Sequence, residues 1–390
     1  MIRNKLDDLL KYNSLLKLIK INFFLCVLML MYSCNQKREE NQELALALKI
    51  DTLLIDSNNK IIYLKDDLLL STLMMDSSIL YNFNYELSKL EKINLKKGIL
   101  ERIIHLEKEG PNGIGDFHSS LVSNDDSLLV FKGLNDFYFL NRNGDFLKKL
   151  RLGHLFFEGE ELQGKSIFSG FYASNNLFYL IIQDWNTNEV NLLFYNLRED
   201  KYELFEIPEL ELSNSGSVVI KIVKSLFNMR PRFSIDQMYD GIAVSNKSYP
   251  LIFYYANKVK THQIINPPSK FYNDVTPVES VPEVYGEEEG MKFMADLEKR
   301  MNFLPPIWDE GSNKILRWGY KRSSEYKFVD VPEYDNYLFV IDSAFNMEKE
   351  YHFPQIRIKP RKIFLADNKI FLYNNFEDEL GFIRVWLDNL

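Results

Sequence analysis

The sequence predicts an all-β fold: a six-bladed β-propeller with one helical insertion and an N-terminal strand that closes the last blade. Three observations carry this. Aromatic residues make up 14% of the chain, with 29 Phe and 22 Tyr, and such side chains suit the half-buried faces of pleated strands. Short apolar runs bounded by Gly, Asn, Asp and Ser recur in sets of about four, roughly every 35–45 residues, which is the size of a propeller blade. The last set is one strand short, while a lone strand-like run, Ala47–Asp56, stands ahead of the first. Pairing the two closes the ring and hides both sheet edges, which an open sheet must otherwise protect with charge or proline.

The elements follow in order. Ile61–Leu106 supplies the first set, as "IIYL", "STLMMD", "SILYNFN", "KLEKINL" and "ILERIIHL". The second, from Phe117 to Leu152, is the cleanest. Its last hairpin turns at Asn143-Gly144, where both residues tolerate positive φ. Lys165–Ile207, Arg232–Ile265, Asn313–Phe353 and Lys362–Leu387 repeat the pattern without a shared motif such as Trp-Asp. A β-sandwich is the plainer alternative, but six up-and-down sets at this spacing fit a propeller better. The segment Asn266–Gly311 breaks the period with six prolines. Inside it Met294, Leu297, Met301 and Leu304 fall on one helical face, with Glu287–Glu289 in the first turn and Lys299-Arg300 in the last. This predicts a helix ended by Pro305-Pro306 and laid as a cap over one mouth or edge of the ring.

The N-terminus has a different character. Arg3, Lys5, Lys11, Lys17 and Lys20 precede the apolar run Ile21–Leu30, which is shorter than the roughly 20 residues that span a bilayer. A basic region, a short apolar core and a small residue before a cleavage point make a secretory signal. The stretch "MYSC", with Ser33 before Cys34, resembles the lipobox of bacterial lipoproteins, in which the cysteine is lipidated and becomes the new N-terminus. Three parts follow: 1–33 as signal peptide, 34–47 as polar tether, and 48–390 as the propeller with its insertion at 266–311. Cys26 and Cys34 are the two cysteines of the chain, so the mature domain would carry neither a disulfide nor a cysteine-held metal. "KREE", Lys37–Glu40, resembles the lysine-then-acidic signal that sends Bacteroidota lipoproteins to the outer face of the outer membrane. The expected location is the outer membrane, at the cell surface more than on its periplasmic face.

Little in the propeller reads as chemistry. Net charge is −8 and no Lys/Arg cluster follows the signal segment, which excludes a nucleic-acid footprint. "KEGPNGIG" holds Gly110, Pro111, Asn112, Gly113 and Gly115. Its glycines lack the dinucleotide spacing and no helix follows to hold phosphate, so it reads as a sharp crossing between two blades. Asp184, Asn186 and Asn188 alternate as in the start of a calcium loop. Glu189 takes the place of the required glycine and no bidentate glutamate follows. A hairpin tip is the reading, with calcium the alternative. His105, His118, His154, His262 and His352 sit in different sets without ligand spacing. The carboxylate runs Glu158–Glu161 and Glu287–Glu289 read as solvated faces, and "SNSGS" at Ser213–Ser217 as a turn. Trp185, Trp308, Trp318 and Trp386 are expected in the core before any sugar-stacking role. No catalytic residue, metal or cofactor is assigned.

The glycine stretch, its preceding strand and "LYNFN" at Leu80–Asn84 resemble the Bacteroidota lipoprotein family called domain of unknown function 4221, of the six-bladed propeller group. The resemblance covers Ile50 to Leu390 and implies the propeller fold and outer-membrane association, with no activity attached. The expectation is a lipid-anchored binding or scaffold module for a glycan, a peptide or an outer-membrane protein. A propeller hydrolase or lyase acting on polysaccharide, and a purely structural envelope protein, are the alternatives.

Overall fold

The computed structural model describes residues 48–387 apart from 75–77, 116–119, 123–126, 134–135, 158–161, 174–175, 185–188, 207–216, 223–224, 230–232, 257–261, 273–280 and 326–330. The signal segment, Cys34, the tether before residue 48, His118, Glu158–Glu161, Trp185, Asn186, Asn188 and Ser213 lie outside the described residues. Six sheets stand in a ring as a six-bladed β-propeller.

Strand β1 (Ile50–Leu54) comes first in the described chain. Blade 1 holds β2 (Ser71–Leu73), β3 (Ile79–Asn84), β4 (Lys89–Asn94) and β5 (Ile99–His105). Blade 2 holds β6 (Ser120–Val122), β7 (Leu128–Lys132), β8 (Asp136–Asn141) and β9 (Phe146–Arg151), followed by the short helix α1 (Gly153–Phe157). Blade 3 is β10 (Lys165–Ala173), β11 (Leu177–Asp184), β12 (Val190–Asn196) and β13 (Lys201–Glu206). Two extra strands, β14 (Val218–Ile222) and β15 (Ser225–Met229), precede blade 4. That blade is β16 (Phe233–Met238), β17 (Gly241–Asn246), β18 (Ile252–Ala256) and β19 (His262–Ile265). Then come β20 (Glu283–Tyr285) and helix α2 (Glu287–Glu298). Blade 5 contains β21 (Asn302–Phe303), β22 (Ile307–Asp309), β23 (Lys314–Arg322), β24 (Tyr334–Ile341) and β25 (Met347–Phe353). Blade 6 has β26 (Ile363–Ala366), β27 (Lys369–Phe376) and β28 (Glu379–Trp386).

Burial grades outward across a blade. The second strands β3 and β17 are buried almost throughout, because both faces of a blade pack on its neighbours. Outer strands such as β9 and β19 turn charged or polar side chains to solvent. The aromatic surplus fills the spaces between blades, where Phe83 meets Phe131 at 4.8 Å and Phe137 meets Phe178 at 4.6 Å, and within blade 5 Trp318 stacks on Phe353 at 5.1 Å. Hairpin positions that need a left-handed backbone are filled mainly by Asn and Asp, including Asn176, Asp200, Asn313 and Asn368. The inner strands β2, β6, β10, β16, β22 and β26 neighbour one another in that order round the axis.

β1 pairs antiparallel with β28 from Ile50↔Val385 to Leu54↔Gly381 and completes blade 6 as its fourth strand. Across that seam Arg384 donates to both oxygens of Asp51, at 2.6 and 2.9 Å, and the Trp386 indole N–H donates to the same carboxylate at 3.2 Å.

The insertion differs from its sequence reading in two ways. Helix α2 ends at Glu298, with Lys299 as its C-cap, so Met301 and Leu304 do not continue its face. They flank β21, which with β22 forms a broken inner strand for blade 5, both pieces pairing with β23. Pro305-Pro306 sits in the gap, where the ladder needs no backbone N–H. The periodicity misleads because residues that leave the helix and enter a blade core are also apolar. The insertion also has a second part. β20 pairs in parallel with β14, and β15 pairs with β14, giving a three-stranded accessory sheet from two connections far apart in sequence. "IIYL" at Ile61–Leu64 forms no strand.

Candidate functional site

Helix α2 lies on this accessory sheet. Three acidic residues open it, where they complement the helix dipole. Gly290 is buried, and a Cβ there would stand 2.8 Å from Ile220, so only glycine lets helix and sheet approach so closely. Between them runs a groove of about 470 Å³. Its walls are Ile220, Phe227 and Met229 from the sheet and Met291 and Met294 from the helix, with Glu298 and Arg322 among the polar groups. Phe227 and Met229 remain 52% and 42% exposed. An apolar cleft with flexible methionine walls adapts to apolar side chains of varied shape.

Polar contacts fix the C-terminal end of α2. Glu298 accepts a hydrogen bond from Tyr334 at 2.7 Å and a charged one from Lys359, which enters from the blade 5–6 connection. Burial pushes the Glu298 carboxyl up, yet the bonds from Lys359 and Tyr334 more than offset this and hold it below the usual carboxylate range. A carboxylate at a helix C-terminus opposes the dipole, and Lys359 supplies the compensating charge. The helix is therefore pinned to the ring at this end and tied through β20 at the other. Glu298→Gln is expected to lower stability by about 1–2 kcal/mol at pH 7. A depressed folded pKa adds stability above the unfolded value near 4.5 and loses it as pH falls through the folded one. Urea melts at pH 7 and 3.5 should therefore show the mutant–wild-type gap closing at the lower pH.

The glycine stretch lies away from this groove, in the connection from β5 to β6. Gly110 and Gly115 take φ of 93° and 75°, and Ile114 and Gly115 donate backbone bonds to Glu107 and Lys108 at 2.9 and 3.0 Å. Gly113 has an ordinary φ; its need is space, because a Cβ would meet the Lys108 carbonyl oxygen at 2.6 Å. Pro111 and Asn112 point to solvent. Asp184 ends β11, and its N–H donates to the Glu189 carbonyl at 2.8 Å, closing a hairpin. Among the described residues no cluster of three or more His, Cys, Asp or Glu has the arrangement of a metal site.

The remaining candidates are dispersed. His352, on the outermost strand of blade 5, stacks on Tyr337 at 4.8 Å with its Nε2 3.8 Å from Asp335. Burial lowers its pKa, and Arg357 takes the Asp335 carboxylate at 2.6 Å. This acid and imidazole are far from the axis in strand order. Trp318 is buried with its N–H on Asn336 at 2.9 Å, Trp308 packs edge-on to Tyr239, and Trp386 lies under Lys369. None of the three offers an open stacking platform. Sequence reasoning missed the groove, since β14 and β15 fall between the set ending at Ile207 and the set beginning at Arg232, and of that stretch only Ser213–Ser217 was assigned, as a turn.

The sequence matches the family "Domain of unknown function (DUF4221)" over residues 43–352. The chain belongs to this family. A crystal structure of a DUF4221 family member from Bacteroides vulgatus superposes with a TM-score of 0.63 at 14% identity, covering 88% of this chain and 99% of that one. A calcium-binding protein, regucalcin, from Agrobacterium tumefaciens matches with a TM-score of 0.40 at 12% identity, over 82% of this chain and 91% of that one. The WD40 domain of Neurospora crassa Pan2 gives 0.40 at 9%, over 83% and 89%. At these identities the likeness of this DUF4221 chain to solved structures is one of fold. No curated protein matches the sequence.

Proposed function

We propose that this DUF4221 propeller is a lipid-anchored binding module of the bacterial outer membrane that captures an apolar peptide segment of an envelope protein. The groove between α2 and the accessory sheet carries the reading. Its apolar walls suit peptide side chains and not sugar hydroxyls, which need polar groups on the wall. Exposed Glu287 lines one end of it, so the favoured segment has a basic residue beside its apolar anchors. Anchoring rests on Cys34 and its signal segment, and outward display on Lys37–Glu40.

Selection from a displayed peptide library on the purified mature chain tests the groove. Peptides with two or three apolar anchors and a flanking Lys or Arg are expected. Phe227→Asp and Met229→Asp, both at exposed positions, should weaken the selected peptides at least about tenfold, the effect of losing a central apolar contact. Selected peptides that bind both variants as tightly as wild type would remove the groove from the reading. In cells, Cys34→Ala should release the protein from membranes, and protease added outside intact cells should digest the wild type. Unchanged partitioning refutes the anchor, and full protection refutes surface display.

A further inference from the structure

We infer, taking the groove as the peptide site proposed above, that the captured segment lies as an extended strand along the free edge of β15 and becomes the fourth strand of the accessory sheet. The order of that sheet is β15-β14-β20, and among the described residues β15 pairs with β14 alone. Every second residue of an antiparallel strand turns its N–H and C=O to the same side. The outer side of β15 therefore presents backbone donors and acceptors with no strand beside them.

Edge and groove are one feature. Phe227 pairs with Ile220 and Met229 with Val218, and directly paired residues share a face of the sheet. Ile220, Phe227 and Met229 line the groove together with Met291 and Met294, so this face is the one turned to α2. Gly290 seats the helix against Ile220 of the middle strand. The helix thus covers β14 and leaves Phe227 and Met229 of β15 half exposed. The five residues of β15 extend about 17 Å, and the twelve of α2 about 18 Å. Edge and helix are therefore matched in length.

An added strand uses both halves of this geometry. Its backbone bonds to β15, and its alternate side chains enter the cleft beside Phe227 and Met229. A helical peptide could fill the cleft but would leave the edge unbonded.

The sequence of the edge agrees. The blade edges β5, β9, β13 and β25 each carry two or more charged residues, the ordinary protection against strand addition. β15 reads Ser-Leu-Phe-Asn-Met, with neither charge nor proline. Charge at one end fixes the rest of the partner. The Gly286 N–H donates to the Lys221 carbonyl at 2.9 Å, and Lys221 pairs with Leu226, so Glu287 and the start of β15 share an end. The occupant is therefore a segment with apolar residues at i and i+2 and a Lys or Arg at the terminus that meets Glu287.

Single N-methyl groups placed in turn along the tightest peptide from the library selection test this on the mature chain. Each removes one backbone donor and keeps every side chain. Calorimetric titration should show at least tenfold loss at every second position and less than twofold loss between them. Amide exchange across Ser225–Met229 should slow at least tenfold on saturation with the unmodified peptide. Tolerance at all positions, losses without a period of two, or unchanged exchange overturns strand addition, while weakening by Phe227→Asp would still uphold the groove. Peptides indifferent to Phe227→Asp remove the groove and strand addition together. A mature chain that elutes as a dimer, but as a monomer with Phe227→Asp, gives the edge to a second copy and also overturns the proposal. The N-methyl series alters only the peptide, so a variant that fails to fold cannot rescue or sink it.

Discussion

Removing β1 by starting the chain at residue 57 is expected to abolish folding to a stable monomer, a larger effect than any substitution in blade 6. Five residue pairs join β1 to β28, and their backbone bonds contribute about 1 kcal/mol each, net. Ile55, just beyond the strand, is 4% exposed and belongs to the core of blades 6 and 1; burying one such side chain contributes about 2 kcal/mol. The Asp51–Arg384 fork adds a part-buried, bidentate pair across the seam. Together these approach the roughly 5–15 kcal/mol that holds an ordinary domain together. Loss of β1 also bares the length of β28 as an open edge, so association should accompany unfolding. Size-exclusion chromatography and thermal melting check both outcomes. A truncated chain that stays monomeric and melts within about 3 °C of wild type would show that blade 6 stands on three strands.

That closure was readable from the sequence because it leaves a deficit: a last set with three strands and a first strand without a set. The blades were readable for a related reason, since hairpin turns demand Asn, Asp and Gly and so mark the chain at regular intervals. The accessory sheet leaves no such mark. β14 and β20 pair in parallel across more than 60 residues, as Val219↔Glu283 shows, and no turn joins them. The end of α2 was misplaced because Met301 and Leu304 continue a helical spacing by chance while serving the core of blade 5. The glycines of "KEGPNGIG" mark a crossing, and what they specify is local: two positive φ angles and one close approach.

Arg317→Met should cost at least about 4 kcal/mol, and Arg317→Lys roughly half as much. The side chain is 2% exposed, and its guanidinium donates to the carbonyls of Asn246, Tyr249, Pro250 and Leu251, the last at 3.2 Å. All four acceptors lie in or beside the β17–β18 turn of blade 4, while Arg317 belongs to β23 of blade 5. One side chain therefore staples two blades. Its position 4.7 Å from the Phe303 ring centre adds a cation–π contact to the inner strand of its own blade. Burial lowers its pKa to about 10, which leaves it charged at neutral pH. Methionine fills the volume but strands the carbonyls, each worth about 1–3 kcal/mol when buried without a donor. Lysine restores a charge on the same stem but cannot present the planar fork that reaches several carbonyls at once. Urea denaturation should rank wild type, Lys and Met in that order, with the midpoint falling at unchanged slope. A Met variant within about 1 kcal/mol of wild type would mean that water reaches these carbonyls, and that the space between blades 4 and 5 is wet and not closed. Because Arg317 also faces Asp236, its loss removes a favourable charge from that carboxylate and should drive the Asp236 pKa higher still. The same substitution thus loosens the contact between blades 4 and 5 and strips an opposing charge from Asp236.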